Sequence, residues 1–179
     1  ALELGLYLVA LDTAESPKYE YSFTPLVVSM PWSEYQYVGS SASDTWQYDR
    51  EATLKPDRAP RLGDIKIVKT LTSYNASAGD ATFVFDVTAA DPESGEILYS
   101  NVFSATFSAV GTKEILVEDL PAGAEVTVRE VYSGANCQIT ASEEGPKIVA
   151  ADGLEGTGEP VTFRFTNAYD EEAKNGFGV

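Results

Sequence analysis

The chain has 179 residues, 44% of them hydrophobic, and carries a formal net charge of −16. The hydrophobic fraction excludes a disordered polymer, and the length allows one or two domains. The negative charge argues against binding to nucleic acid or to an anionic membrane, because both require basic surfaces.

Strand-like runs follow one another along nearly the whole chain, separated by turn-forming segments such as DPESGE and LPAGAE. Runs of this length and spacing predict an all-β fold that contains a β-sandwich. The predicted strands span about residues 4–11, 20–30, 45–54, 64–72, 81–90, 102–109, 113–118, 125–133, 136–141, 146–150 and 160–168.

A change of composition divides these strands into two groups. The segment KPDRAPRLGD has two prolines and little apolar content, so we expect a linker there and a domain boundary near Pro60. Residues 1–60 hold three evident strands, too few for a stable closed sandwich. We expect this first domain to be truncated or to take support from the second domain, residues 61–170.

Aromatic residues stand out in the first domain. Trp32, Tyr35 and Tyr37 lie near a proline and either form a ligand-binding loop or cap the edge of a sandwich. In TWQYDREATLKP the alternation predicts that Lys55 lies on the outer face at a strand end, just before Pro56. The residues on the opposite, inward face of that strand are Trp46, Tyr48, Ala52 and Leu54.

Three polar residues fall on predicted inward faces in the second domain. Side chains alternate between the two faces of a strand, and Lys69 is in phase with the apolar residues of IKIVKTL. Glu130 is in phase with those of EVTVREVY, and Asn167 with those of VTFRFTNAY. We therefore predict that an amine, a carboxyl and a carboxamide enter one core.

This set of groups can react with itself. Burial lowers the pKa of a lysine and raises that of a glutamate, so a proton can pass between them and leave a nucleophilic amine. If Lys69 reaches the side-chain carbon of Asn167, its attack forms an isopeptide bond and releases ammonia. Glu130 would shuttle the protons and polarise the amide oxygen. The protein would be its own substrate and not an enzyme that acts on others.

The motifs carry a family resemblance. The order IKIVK, LPAGAEVTVRE and VTFRFTNAY resembles the collagen-adhesin B-type (Cna-B-like) immunoglobulin-like domain of Gram-positive surface proteins, over about residues 63–170. That resemblance implies an immunoglobulin-like sandwich in which Lys69, Glu130 and Asn167 form the bond. Upstream, GLYLVALD, FTPLVVSMP and TWQYDREATLKP resemble the N-terminal domain of sortase-assembled pilins, especially the minor or basal, wall-anchoring subunit.

The pilin resemblance implies a structural subunit of a pilus on the cell wall of a Gram-positive bacterium. Its partners would be other pilin subunits, joined covalently by a sortase, and peptidoglycan, reached through a missing sorting signal beyond a tail at 171–179. Lys55 is the candidate acceptor amine; it is otherwise a plain solvated lysine, and Lys18 and Lys174 are competing acceptors. The alternative function is a wall-anchored adhesin or stalk module that binds a host surface protein.

Several other expectations are negative. The chain has no histidine, which removes His-based triads and His metal sites, and the acidic segments DPESGE and DGLEGTGE lack the spacing of a calcium loop. We therefore expect neither a metal nor a cofactor. The lone Cys137 is predicted to be a small core residue. Leu11 stands where the B-type pattern has a carboxylate and Asp12 is out of phase, so we expect no isopeptide bond in the first domain. No signal peptide or membrane span is recognisable, and we expect missing end segments to have carried the targeting signals.

Overall fold

The computed structural model describes residues 3–11, 16–38, 41–49, 51, 53, 55–153 and 159–172, without the side chains of residues 34–38 and 41–44. The chain folds as two compact units, Ala1–Ala59 and Pro60–Val179. Within the described residues the regular structure is β-strand apart from one turn of 3-10 helix at Ala76–Ala78, so the all-β prediction is confirmed. In the described part of the chain, no helix has the length and apolar character needed to cross a membrane.

Two-stranded pairs make up the first unit. Strand β1 pairs with β3, β2 with β6, and β4 with β5. The apolar side chains of Leu6, Leu8 and Val27 in the β1–β3 pair are 78%, 67% and 61% exposed, so no second layer of described residues covers them. The strands are β1 Gly5–Val9, β2 Tyr19–Phe23, β3 Leu26–Met30, β4 Trp32–Val38, β5 Ser41–Gln47 and β6 Pro56–Pro60.

The expected single strand over residues 20–30 is two strands. Pro25 separates β2 from β3, and proline has no N–H to contribute to a ladder. The two halves then pair with different partners, β2 with β6 and β3 with β1.

The prediction of a strand over residues 45–54 is wrong. Strand β5 begins at Ser41 and ends at Gln47, and it forms a hairpin with β4. Trp46 and Tyr48 are 59% and 66% exposed, because alternation identifies a face but does not supply a second layer to cover it. Ala52 and Leu54 lie outside the described residues.

The expected linker after Lys55 also forms a strand. Pro56–Pro60 is β6, and the guanidinium of Arg58 lies 4.9 Å from the centre of the Tyr19 ring on β2. Prolines are tolerated in a strand that is paired along one side only, as they need no N–H on the free side. The segment thus satisfies strand geometry despite its composition.

Two four-stranded sheets form the second unit, in the orders β10-β7-β14-β12 and β13-β11-β8-β9. They pack face to face as an immunoglobulin-like sandwich, and the Phe85 and Phe165 rings meet between them at 5.1 Å between centroids. The strands are β7 Leu62–Leu71, β8 Ala81–Ala90, β9 Ile97–Phe107, β10 Gly111–Pro121, β11 Glu125–Tyr132, β12 Cys137–Ser142, β13 Lys147–Ile148 and β14 Val161–Tyr169.

Strict alternation of burial builds the core of the sandwich. From Gly63 to Leu71 every second residue of β7 is buried, and β8 alternates in the same way from Ala81. Each fully buried phenylalanine stabilises the fold by about 1.5–3 kcal/mol relative to an exposed one. The four with no exposed surface are Phe83, Phe85, Phe163 and Phe165.

Candidate functional site

Lys69 and Asn167 come from neighbouring strands of one sheet. Strand β7 runs parallel to β14, with Lys69 opposite Phe165 and Leu71 opposite Asn167. Both polar side chains have no exposed surface. In a parallel pair, side chains with the same inward phase lie on the same face of the sheet, so the amine and the amide share one side of the core.

Glu130 reaches the same point from the opposite sheet. It lies on β11, just before a register shift in the pairing with β8, and is 4% exposed. The prediction that Lys69, Glu130 and Asn167 enter one core is confirmed.

A closed set of hydrogen bonds links the three side chains. Lys69 Nζ donates to Glu130 Oε2 at 2.7 Å and also to Asn167 Oδ1. Asn167 Nδ2 donates to Glu130 Oε1 at 2.6 Å. The carboxyl therefore contacts both the amine and the amide nitrogen, which is the position that a proton shuttle requires.

Aromatic rings enclose the amine. Lys69 Nζ lies 4.1 Å from the centre of the Phe83 ring and 5.7 Å from that of Phe85, both on β8. The amine therefore exchanges its hydration for two hydrogen bonds, to Glu130 and Asn167, and for contact with two aromatic rings. Water exclusion also removes the competitor that could hydrolyse a reacting amide.

Burial shifts both titrating groups toward their neutral forms. Desolvation lowers the pKa of Lys69 from its usual 10.5 to about 8, and the Glu130 carboxylate opposes this shift. Desolvation raises the pKa of Glu130, and Lys69 opposes that shift. The two shifts bring the ammonium–carboxylate pair closer in free energy to the amine–carboxylic acid pair, in which the lysine is a nucleophile.

The turn after β11 completes the site, although no sequence pattern marks it as part of the site. Asn167 Nδ2 also donates to the main-chain oxygen of Ser133 at 3.2 Å. The next residue, Gly134, has φ +80°, and a Cβ there would lie 3.2 Å from Phe83 Cε1 and 3.3 Å from Thr82 O. A glycine two residues past the end of a strand is a signal for such a turn, but only the fold shows that this turn holds the amide.

Cys137 is a buried free thiol, as predicted. Desolvation raises its pKa, which disfavours the reactive thiolate. No group of three or more potential metal-ligating side chains occurs within the described ranges.

The predicted acceptor lysines lie away from this cluster. Lys55 is exposed, as expected, but it precedes β6 and does not end a strand. Lys18 is half-buried, and Lys174 lies outside the described residues. In the first unit, Leu11 is 50% exposed and Asp12 is not among the described residues.

The three aromatic residues near Pro31 lie in a strand. Trp32 opens β4 and is half-buried, and the side chains of Tyr35 and Tyr37 are outside the described part. Of the two alternatives, the ligand-binding loop is not found, since β4 pairs with β5 along this segment, and capping of a sandwich edge stays a prediction.

Comparison with known proteins gives one family and one distant structure. A family model described as a domain of unknown function (DUF5979) matches residues 65–170, the range that holds all three clustered residues. No curated protein matches the chain significantly. Among solved structures, a bacterial adhesin from Mobiluncus mulieris, described as containing intramolecular disulfide, isopeptide and ester bond cross-links, matches with 14% identity and a TM-score of 0.33. That alignment covers 92% of this chain and 61% of the adhesin chain. A TM-score at this level supports no conclusion about fold or function.

Proposed function

The chain belongs to the family described as a domain of unknown function (DUF5979), and we propose that its sandwich closes an isopeptide bond between Lys69 and Asn167. The observation that carries the proposal is the bridging carboxyl of Glu130, whose two oxygens bond the amine and the amide nitrogen at 2.7 Å and 2.6 Å. No outside substrate enters this reaction, since all three groups are buried.

The reaction balances with the groups present. Glu130 Oε2 takes a proton from the Lys69 ammonium, and the free Nζ attacks Cγ of Asn167. The Nζ–Cγ bond forms, and the Cγ–Nδ2 bond breaks. Glu130 returns one proton to Nδ2 and accepts the second Nζ proton, so ammonia leaves and Glu130 is left as the neutral carboxylic acid. It becomes a carboxylate again when that proton passes to the departing ammonia, which then leaves as ammonium. The Ser133 carbonyl holds Nδ2 on the leaving side.

The bond suits a module that carries tension. It would join β7 and β14, the first and last strands of the sandwich, so a load applied at both ends of this unit would pass through covalent bonds. Hydrogen bonds between most of the strands would then bear little of the load. We accordingly propose an extracellular role as a structural module of the cell surface of a Gram-positive bacterium, with a minor or basal pilus subunit as the more specific form.

Intact-mass analysis tests the bond directly. We expect the folded chain to be lighter than its sequence mass by one ammonia, and a branched peptide to join Lys69 and Asn167. Lys66, on the outer face of the same strand, should appear in ordinary linear peptides. A well-folded chain of unmodified mass would contradict the proposal.

Sortase reactions test the pilus role. The exposure of Lys55 supports it as the acceptor that a pilin sortase would join to another subunit. With a cognate sortase and a backbone pilin bearing its sorting motif, Lys55→Ala should abolish the covalent adduct and Lys18→Ala should retain it. An adduct that survives Lys55→Ala assigns the role to another lysine, and no adduct with the parent chain argues against the pilus role.

A second candidate function is adhesion to a host surface protein. It is favoured by the exposure of Trp46 and Tyr48, which are 59% and 66% exposed, because aromatic side chains are enriched at binding interfaces. Binding of the isolated chain to immobilised matrix proteins that is lost in Trp46→Ala would support adhesion. Unchanged binding in that variant, or none in the parent, would count against it.

A further inference from the structure

Strand β9 is an uncharged edge. It pairs only with β8 in the described part of the chain, and it ends the sheet β13-β11-β8-β9. Its 11 residues, Ile97–Phe107, include no charged residue and no proline. Proteins usually protect long edge strands with charges, prolines or bulges. A register shift between Tyr99 and Ile97 interrupts one end of β9, but the strand pairs regularly from Tyr99 to Phe107. An uncharged, regular edge in a chain of net charge −16 indicates a surface that another strand can approach.

Two side chains already bond to this edge. The N–H of Val102 donates to Asn101 Oδ1 at 2.8 Å, and Lys113 Nζ donates to the main-chain oxygen of Thr106 at 2.5 Å. The N–H and C=O of one strand residue point to the same side, and successive residues alternate. Val102, Ser104 and Thr106 therefore all direct their backbone groups away from β8. The Asn101 and Lys113 side chains bond two of these groups, which a neighbouring strand would otherwise do.

The same strand also exposes apolar surface. Ile97, Leu98 and Val102 are 57%, 43% and 59% exposed. Strand β10, the edge of the other sheet, carries Lys113, Glu114, Glu118 and Asp119, so acidic charge is absent from one sheet edge and present at the other.

We propose that β9 pairs antiparallel with β9 of a second copy of this chain, across a two-fold axis at Val102. In this register Val102 faces its own copy, and Leu98 of one copy faces Thr106 of the other. The outward backbone groups of Ser100, Val102 and Ser104, in the regular part of the strand, then have partners, and an isologous contact of this kind closes at two copies. The β13-β11-β8-β9 sheets of the two copies then form one continuous sheet of eight strands.

Charge favours a second copy as the partner. Two chains of net charge −16 repel wherever their acidic surfaces meet, but β9 carries no acidic side chain. The antiparallel direction brings Glu96, just before β9 in one copy, toward Lys113 of the other, and the two-fold axis makes this contact twice. The pairing is independent of the proposed isopeptide bond, because β9 contributes no residue to the Lys69 cluster.

Sedimentation velocity over a concentration series tests the pairing. The parent chain should dimerise reversibly, and more strongly at higher salt, since screening reduces the net repulsion. Ser104→Pro removes one outward N–H while β8 pairing needs none from this residue, so it should weaken the dimer about tenfold or more, whereas Ser104→Ala keeps the N–H and should not.

A charge placed at the axis gives a second, independent test. Val102→Glu sets two like charges against each other and should abolish the dimer. Val131→Glu makes the same change at a 39% exposed valine on the interior strand β11 and should leave the dimer intact. Thermal unfolding of each variant shows that it is folded. A parent chain that stays monomeric at every concentration, or a dimer that survives both Ser104→Pro and Val102→Glu, would overturn the proposal.

Discussion

Replacement of Glu130 by glutamine should stop the crosslink while preserving the fold. Glutamine has nearly the same shape as glutamate and can still bond Lys69 and Asn167, but it cannot take a proton from the amine. We therefore expect Glu130→Gln to keep the full sequence mass, with ammonia retained at Asn167.

The loss of stability can be worked out from the loop that the bond would close. Residues 69 and 167 are 98 positions apart, and on the chain-entropy model a loop of about 100 residues stabilises by about 4.7 kcal/mol. For a unit the size of residues 60–179, 1 kcal/mol shifts the midpoint by about 4 °C. The crosslink should therefore raise Tm by roughly 15–20 °C.

The energetic comparison needs a variant that leaves no unpaired buried charge. Glu130→Gln alone removes the counterion of Lys69, which adds its own cost. The double variant Lys69→Met with Glu130→Gln lacks both the bond and the buried amine, so its Tm isolates the crosslink. Lys66→Met is the matched control: its ion pair with Glu114 is accessible to solvent, so the bond should form and Tm should change little.

The assay combines intact mass, thermal unfolding and digestion with trypsin. Variants without the bond should digest faster as well as melt earlier, because their unlinked chain opens more readily. An ammonia-deficient mass for Glu130→Gln would refute the role of the carboxyl. A double variant that melts within a few degrees of the parent would refute the predicted stabilisation by the crosslink.

Three further predictions concern the rate and the surroundings of the bond. When denatured, unlinked chain refolds, the rate of ammonia release should be bell-shaped in pH. The rate should fall above about pH 8, where the Lys69–Glu130 pair loses the proton that the leaving nitrogen needs, and should fall in acid below the raised pKa of Glu130, where Lys69 stays protonated. A monotonic rise with pH would contradict this. Gly134→Ala should slow ammonia release, because the added methyl group would press on Phe83. Gly79 has a similar φ of +77° and no neighbour within 4 Å, so Gly79→Ala should lose stability without slowing the release. Equal rates in the two variants would show that the turn at Gly134 has no part in the reaction. Cys137 should resist a thiol reagent in the folded chain and react only on unfolding, because burial both shields it and raises its pKa; fast labelling of native protein would show that the site opens.

The local pattern of residues was enough to find the clustered groups. Lys69, Glu130 and Asn167 each keep phase with apolar neighbours, and alternation along a strand is a local property that needs no knowledge of strand pairing. Several predicted strand boundaries were wrong because local alternation does not show whether a second layer covers the strand. Trp46 and Tyr48 alternate as a buried face would, but a two-stranded pair has no second layer to bury them.

By itself, then, the sequence determined the all-β class, the inward phase of the three polar residues and the chemistry that such a set can perform. The tertiary structure alone decided that β7 and β14 lie side by side in parallel register, that Glu130 faces them from the opposite sheet, and that the Ser133–Gly134 turn holds the amide. It also decided that β9 ends its sheet with no further strand beside it among the described residues. Strand neighbours depend on contacts between segments as far as 98 residues apart, and no local pattern encodes which of several compatible strands will meet.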